Sequence, residues 1–504
     1  MSGRSLSNPH VGLAVLALPT MLVAMDMTIL YLATPSLSAE LRPTGAQLLW
    51  ISDIYAFVIA GALIPLGVLG DGIGRRKILL VGAGFFGLAS IFAAFAPTAE
   101  MLIVARALLG LAGATLLPST LALIGVLFPD PERRGAAIGI WAMCFTLGGV
   151  IGPLFGGILI ESFWWGSVFL AGVPMMVLLL ILGPFFLPEY KDSEGHPLDL
   201  LSASLLLTAI LAVTFTMKST AQDGPSLAAA GAFAAGLVVG LVFVRRQRSL
   251  ASPMIDLSLF SRPAFVGALG ANMMALFAWV GASLLVAHYL QLVHGLSPFA
   301  AGLWTIPPAI ASMIGCLGAP LVARRHRPAL LVLGALTLVS LSLAALAVFG
   351  KAGGLATIIT GMVGLGLGVA TIVTLGTDVV LGEAPESKSG AAAAMSETGA
   401  ELGAALGVAV LGSVSIALYR ATIVIPESMA SDLAAAARDT LGAAAEVSTQ
   451  TGSAGEDLLR SAQDAFVHGF QAASGVGAAF LLATTALFAI AVARRTAPEM
   501  DQRV

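Results

Sequence analysis

Gly67-Val-Leu-Gly-Asp-Gly-Ile-Gly-Arg-Arg-Lys77 interrupts two apolar stretches near residues 46–69 and 78–96. Its glycines allow a tight turn, Asp71 can lie against a helix N-terminus, and the three consecutive cations can anchor at a membrane surface. Each flanking stretch has roughly the 20 apolar residues that a membrane-spanning helix needs. The loop therefore predicts two adjacent transmembrane helices and marks the side on which they are joined.

The composition extends this interpretation to the whole chain. Of its 504 residues, 58% are hydrophobic and 11% are charged, and the mean hydropathy is +0.95. Such a chain is too apolar for a soluble domain. The net charge of −3 and the absence of a basic stripe argue against a nucleic-acid partner. Cys144 and Cys316 fall in apolar segments, so we expect neither a disulfide framework nor a metal site.

Cutting the chain at polar, Gly/Pro and charged breaks gives about fourteen spans of roughly 20 residues. With the N-terminus in the cytoplasm, 18 of the 25 Lys and Arg residues are cytoplasmic, 6 are external, and Arg106 is inside a helix. This positive-inside asymmetry places both termini in the cytoplasm. Because only Arg4 precedes a full-length first span that contains an aspartate, we expect this helix to be retained and not cleaved as a signal peptide. The predicted spans are 11–36, 46–69, 78–96, 101–127, 136–160, 166–187, 198–217, 226–244, 264–289, 298–321, 329–349, 354–380, 390–418 and 469–493.

A glycine pattern suggests an internal repeat. Four glycines of the fifth span recur 255 positions later in the thirteenth: Gly135, Gly148, Gly152 and Gly157 match Gly390, Gly403, Gly407 and Gly412. We predict an N-terminal six-helix bundle (1–190), two inserted helices (191–250) and a C-terminal six-helix bundle (251–504). An external loop at about 419–467 is expected to carry short surface helices near Ala430–Glu446 and Glu456–Phe466, most simply as a solvated cap without chemistry.

Carboxylates inside the spans are the first functional candidates. Asp26 lies within an apolar run, where a charge costs roughly 2.5–3.5 kcal/mol on insertion scales, so we expect it to have a function. Asp53 lies in the second span. Glu397 and Glu401 are four apart and share one helix face, and in an apolar cavity they would resist being ionised together. One of them is therefore a plausible proton carrier, unless it pairs with a nearby cation. Asp378, at the end of its span, is expected to be interfacial.

The opening loop resembles the signature loop of the major facilitator superfamily, G-x-L-a-D-r-x-G-r-k. Gly72 departs from that pattern, since the family usually has a basic residue there, and an ion pair from this position is missing. The resemblance implies that Asp71 and Arg75 are gating residues. They would lock one conformation across the interface of the two halves.

The fifth span contains Gly148-x-x-x-Gly152-Pro153-x-x-Gly156. Small residues at four-residue spacing allow close helix approach, and a proline inside a helix removes a backbone hydrogen bond and bends the helix. Packing alone needs only the glycines. The added Gly-Pro pair is similar to the antiporter motif of drug-exporting members, which implies a conformational role.

Arg106, followed by Gly110 and Gly113-Ala114, resembles the buried-arginine motif R-x-x-q-G-x-g-a-a of proton-coupled exporters, with Leu109 in place of the usual glutamine. Because a guanidinium cannot lose its proton, it needs an acidic or carbonyl partner inside a membrane.

Two further stretches resemble motifs of fourteen-helix members. Asp26-Met-Thr-Ile-Leu-Tyr-Leu-Ala-Thr-Pro35 is similar to their first-span motif, with Thr34 where leucine is usual. Trp50-Ile-Ser-Asp-Ile-Tyr55 looks most like the quaternary-ammonium exporters.

Taken as a member of this group, the chain is expected to be an all-α, fourteen-helix drug–proton antiporter. The resemblance implies export of dyes, quaternary ammonium compounds and fluoroquinolones by alternating access. No G-x-x-x-x-G-K-[S/T] fingerprint occurs, so the proton gradient is the expected energy source and no cofactor is expected. The predicted proton and substrate residues are Asp26, Asp53, Glu397, Glu401 and Arg106. The predicted aromatic lining of the cavity is Tyr31, Tyr55, Phe57, Trp141 and Phe277.

The expected partners are cationic amphiphilic drugs, protons and the lipid bilayer. We expect a monomer that crosses the bacterial inner membrane many times. An exporter of a lipid or cell-envelope precursor from the same fourteen-helix group stays open as an alternative. A nutrient importer is disfavoured by the Gly-Pro motif. A receptor or a membrane enzyme is disfavoured because no cluster of nucleophile, base or metal ligands occurs.

Overall fold

The computed structural model describes residues 8–43, 45–191, 199–223, 226–250, 253, 255, 257–296, 298–349, 354–385, 388–426 and 429–501. The regular elements in these residues are helices, which satisfy their backbone polar groups internally, as a lipid environment requires. The helices are α1 (Pro9–Leu41), α2 (Gly45–Ile73), α3 (Arg75–Ala94), α4 (Ala99–Leu127), α5 (Pro131–Ser162), α6 (Ser167–Leu170), α7 (Gly172–Phe186), α8 (Leu200–Asp223), α9 (Leu227–Ser249), α10 (Pro263–His288), α11 (Pro298–Leu303), α12 (Ile306–Ala323), α13 (Pro328–Phe349), α14 (Gly354–Glu383), α15 (Ser389–Thr422), α16 (Ser431–Asp439), α17 (Leu441–Gln450) and α18 (Gly452–Asp501).

Within the described residues, thirteen helical stretches are long and apolar enough to cross a bilayer. The described apolar part of α8, Leu200–Val213, is shorter. Every predicted span coincides with a helix, although the sixth is divided between α6 and α7 and the tenth between α11 and α12. The prediction of an all-α membrane fold with about fourteen spans is confirmed.

The segment predicted as an external loop is largely helical. It contains α16 and α17, but the helix predicted at Glu456–Phe466 is the first part of α18 and not a separate surface helix. That prediction was wrong because buried Leu458, Ala462 and Ala465 continue at helical spacing into the rest of α18. With 50 residues, α18 is about 75 Å long and extends well beyond a hydrocarbon core of roughly 30 Å.

The glycine repeat corresponds to one helix contact that occurs twice. In each case a glycine of α5 or α15 lies so close to a backbone carbonyl of α1 or α10 that a Cβ atom would collide with it. The facing residues on α10 follow those on α1 by 252 positions. The four contacts are Gly148 with Met21, Gly152 with Met25, Gly403 with Met273 and Gly407 with Phe277. The proposed boundaries of the bundles remain a prediction.

Helix α8 packs against both α2 and α15, and α9 packs against α8. At Gly61 of α2, a Cβ atom would meet the side chains of Leu207 and Leu211 from α8. Helix α8 therefore covers the seam where α2 meets α15.

Candidate functional site

An ion pair joins α1 to α4 inside the bundle. Arg106 Nη1 lies 2.7 Å from Asp26 Oδ2, and the two side chains are only 2% and 7% exposed. Arg106 Nε also donates a hydrogen bond of 3.3 Å to the carbonyl oxygen of Ile51 on α2. Since an unpaired charge is strongly disfavoured in a low-dielectric interior, each group stabilises the other in its ionised form. The partner that the sequence required for Arg106 is thus Asp26.

The ring of Tyr55 packs against the Arg106 guanidinium. The Cζ atom of Arg106 lies 4.4 Å from the centroid of the Tyr55 ring, which is a cation–π geometry. The glycines of the buried-arginine motif make this approach possible, because a Cβ atom at Gly110 would lie 2.6 Å from the Tyr55 carbonyl oxygen. At Gly113, a Cβ atom would lie 3.3 Å from the Tyr55 hydroxyl. The motif therefore packs α4 onto α2 at the charged centre.

Helix α15, which packs against α2 and α4, carries the two acids predicted for the thirteenth span. Glu397 and Glu401 lie one turn apart on this helix, and both side chains are partly exposed. The three helices that carry the predicted charges thus pack together, with α4 in contact with both α1 and α15.

Four further predicted site residues lie on α1, α2 and α5. The side chains of Tyr31, Asp53 and Pro153 lie outside the described residues, although their backbones lie in α1, α2 and α5. The Phe57 side chain is 7% exposed and meets the Trp50 ring edge-on at 6.1 Å between centroids.

Trp141 and Phe277 are buried in the packed interior. Trp141 Nε1 donates a hydrogen bond of 3.0 Å to Thr120 Oγ1. Phe277 meets Phe480 of α18 edge-on, with 6.0 Å between the ring centroids. Both side chains are 4% exposed. The first contact holds Trp141 of α5 against α4, and the second holds Phe277 of α10 against α18.

The opening loop docks on the N-terminus of α15. Asp71 forms an ion pair with Arg75, and its Oδ2 accepts a hydrogen bond of 3.2 Å from the backbone amide of Ala391. A carboxylate at a helix N-terminus is favoured by the helix dipole and by the unsatisfied amides of the first turn. Gly67 and Gly390 approach each other so closely that neither site has room for a Cβ atom.

Two further ion pairs hold the same end of the bundle, which is termed the basic end after its arginine-bearing loops. Arg134 of α5 lies 2.7 Å from Asp378 of α14, and Arg324 after α12 lies 3.3 Å from Glu132 of α5. Asp130 caps α5 by accepting a hydrogen bond from the Arg133 amide. Sequence reasoning missed the Arg134–Asp378 pair because its members are 244 positions apart.

A short strap after α7 holds the opening loop from the opposite side. Glu189 accepts hydrogen bonds from the Arg76 amide (3.2 Å) and from Arg76 Nε (3.3 Å), and the Arg75 amide donates to the Tyr190 carbonyl at 3.0 Å. Gly74 has a φ of 115°, and a Cβ atom there would lie 2.6 Å from Glu189 Oε1. Glu189 and Tyr190 were not predicted, and a polar stretch following an apolar span is too common to single them out.

Comparison with protein families identifies the fold. The family model described as Major Facilitator Superfamily matches residues 16–408. The chain belongs to the major facilitator superfamily. It is therefore a multi-pass membrane transporter and not an enzyme, as the sequence predicted.

Several curated relatives within the superfamily are similar over nearly their whole length. The chain is 42% identical to the multidrug efflux pump LfrA of Mycolicibacterium smegmatis, over 97% of this chain and 98% of that protein. It is 35% identical to the methyl viologen resistance protein SmvA of Salmonella typhimurium, covering 96% and 98%. It is 31% identical to the tetracenomycin C resistance and export protein of Streptomyces glaucescens, covering 98% and 93%.

A solved structure supports the same fold. The human organic anion transporter MFSD10 (TETRAN) matches with a TM-score of 0.65 and 15% identity, covering 96% of this chain and all of that one. At the basic end, the opening loop contacts α15, and the two ion pairs join α5 to α14 and to the end of α12. In this structure the N-terminal helices are therefore in contact with the C-terminal helices at the basic end.

Proposed function

We propose that this protein is a proton-coupled multidrug efflux antiporter that exports lipophilic cations, including dyes and quaternary ammonium compounds, and also fluoroquinolones. It would work in the bacterial inner membrane with the basic end and both termini in the cytoplasm. The proton gradient would be its energy source, because the sequence lacks a nucleotide-binding fingerprint.

The observation that carries this proposal is the pair of acids on α15. Glu397 and Glu401 are partly exposed, whereas Asp26 is buried against Arg106. A partly exposed carboxylate in an apolar bundle attracts a lipophilic cation, and it can alternatively accept a proton. Two relatives are named for multidrug efflux and for resistance to methyl viologen, which is itself a quaternary dication.

The mechanism would be competition between protons and drug. With the basic end closed, Glu397 and Glu401 would face the outside, where protonation neutralises them and releases the cation. Opening of the basic end would require the Asp71 contact with Ala391 and the Arg134–Asp378 pair to separate. Deprotonation toward the cytoplasm would then restore the site for the next drug molecule.

Asp26 and Arg106 would have a different part in this scheme. Asp26 is buried in its ion pair with Arg106, so it is less accessible to a drug molecule than the partly exposed Glu397 and Glu401. We propose that this pair holds α1 against α4, on which α15 packs, and so fixes the frame of the two acids. Asp53 lies on α2, two residues before Tyr55, and we propose it as a further acid that binds protons or substrate.

The test is ethidium transport in inverted vesicles energised with a proton gradient. Efflux activity should stop when nigericin collapses the gradient, and Glu401→Gln and Glu397→Gln should abolish proton-driven transport. Carbodiimide labelling of the two acids should be reduced by ethidium. Transport that persists after collapse of the gradient would refute proton coupling. Transport of a lipid precursor, with no ethidium transport, would favour the alternative exporter.

A further inference from the structure

We propose that Asn272 of α10 is a positioning residue that ties the acids of α15 to the closure of the basic end. Its amide joins α15, beside Glu397, to α14, beside Asp378, so that the two helices turn and shift as one unit. The inference rests on the proposed function and concerns how occupation of the acids is passed to the Arg134–Asp378 pair.

Two hydrogen bonds connect Asn272 to the neighbouring helices. Asn272 Nδ2 donates to Ser396 Oγ of α15 at 3.1 Å and to Thr377 Oγ1 of α14 at 3.3 Å. Asn272 is 1% exposed, and the two hydroxyl residues are each 2% exposed. The amide oxygen lies against α14, because a Cβ atom at Gly376 would collide with it. Burying polar groups costs free energy unless they are bonded, so we expect this cluster to do more than fill space.

Asn272 lies in a helix contact that is built largely on glycines. Leu269 and Met273, from the same face of α10, each contact a glycine of α15. The glycines along this contact are Gly399, Gly403 and Gly407. Small residues let two helices approach closely, and a single buried polar residue can fix the register of such a contact. The bond from Asn272 to Ser396 therefore sets the rotation of α15 about its own axis.

The rotation of α15 decides where its acids lie. At Gly67 of α2, a Cβ atom would lie 2.8 Å from Gly390 O and 2.9 Å from Ala394 Cβ, so this side of α15 faces α2. Glu397 and Glu401 follow Gly390 by seven and eleven residues, which is about two and three full turns, so they lie on the same side. The bond from α10 therefore keeps both acids toward α2.

The second bond of Asn272 leads to the basic end. Thr377 is followed in α14 by Asp378, whose Oδ1 accepts a hydrogen bond of 2.7 Å from Arg134 Nε of α5. The Arg134–Asp378 pair is one of the contacts that would separate when the basic end opens. Because adjacent residues of a helix move together, a shift of α15 at Ser396 would reach Asp378 through Asn272.

The experiment measures how ethidium changes the accessibility of the α5–α12 contact. Maleimide labelling of Cys144 on α5 and Cys316 on α12 is followed in purified protein, with and without saturating ethidium, and the ratio of the two rates is the response. Ethidium fluorescence fixes the saturating concentration for each variant. Because ethidium enters through an open basic end, we expect a wild-type response of about tenfold, within the range of coupling between two sites.

Three variants break the connection at different points. Ser396→Ala removes the acceptor on α15, Thr377→Val removes the acceptor on α14, and Asn272→Leu removes the donor and keeps the branched shape of the side chain. Each should lower the response about threefold, the effect of one interhelical hydrogen bond. Ser340→Ala is the matched control, because Ser340 is a fully buried serine of α13 that donates to Leu336 O at 2.8 Å, and it should keep the wild-type response.

The double variant Ser396→Ala/Thr377→Val decides between coupling and simple loosening of the bundle. Two links in series are broken as fully by one change as by two, so the double variant should again lose about threefold. A loss of about ninefold, or a wild-type response in Asn272→Leu, overturns the inference. So does a wild-type protein that binds ethidium without any change in labelling. A wild-type protein that does not bind ethidium at all refutes the proposed function, and this inference fails with it.

Discussion

Breaking the Asp26–Arg106 pair should destabilise the protein far more than breaking an exposed pair. Asp26→Asn leaves a guanidinium that is 2% exposed without its counter-ion, and removal of one partner from a buried pair costs about 3–5 kcal/mol. The bond to Ile51 O and the Tyr55 ring would remain, so we expect the lower part of that range. The measurement is reversible unfolding of the purified protein in mixed detergent micelles.

The matched control is Arg324→Gln. Its partner Glu132 lies at 3.3 Å, and the two side chains are 45% and 60% exposed, so the loss should be about 1 kcal/mol or less. The double variant Asp26→Asn/Arg106→Gln should recover part of the loss, since no unpaired charge remains. An Asp26→Asn protein that is as stable as Arg324→Gln would refute the assignment of a desolvated pair.

Three shorter predictions follow from other contacts. Gly148→Leu should abolish folding in the membrane, because even a Cβ atom there collides with the Met21 carbonyl, and yield by fluorescence-detected gel filtration would show it. Arg134→Gln removes an ion pair whose side chains are 18% and 23% exposed and which is worth about 1 kcal/mol. Maleimide labelling of Cys144 on α5 and Cys316 on α12 should therefore be roughly fivefold faster. Labelling should be unchanged in Arg133→Gln, which alters an exposed neighbour. Tyr419→Phe should lower the unfolding free energy by about 0.5–1.5 kcal/mol and leave ethidium transport intact, and a loss of transport would contradict a purely structural cap.

The spans were predictable because lipid imposes a strong and local rule. A helix that crosses the membrane must contain about 20 apolar residues, so span positions follow from the sequence alone. The same rule does not apply outside the membrane. There, α18 begins at Gly452 because Leu458 and Ala462 are buried against other helices. The sequence of one segment does not show which residues other helices will bury.

The candidate site was only partly predictable. Asp26, Arg106 and Glu401 were each identified because a charge inside a span is costly and therefore needs a reason. Their pairing was not predictable, since Asp26 and Arg106 are 80 positions apart. Tyr55 was expected to line a cavity, but the structure buries it against Arg106 and the backbone of α4.

The sequence by itself determined the class of molecule, the approximate helix spans, the superfamily motifs and the set of charged residues inside the membrane. These follow from solvent physics acting on short segments. The tertiary structure alone decided that Asp71 docks on α15, that Arg134 pairs with Asp378, and that Arg106 lies between Asp26 and the Tyr55 ring. The reason is that such contacts depend on how distant helices cross, and crossing is set by close glycine contacts summed over the whole bundle.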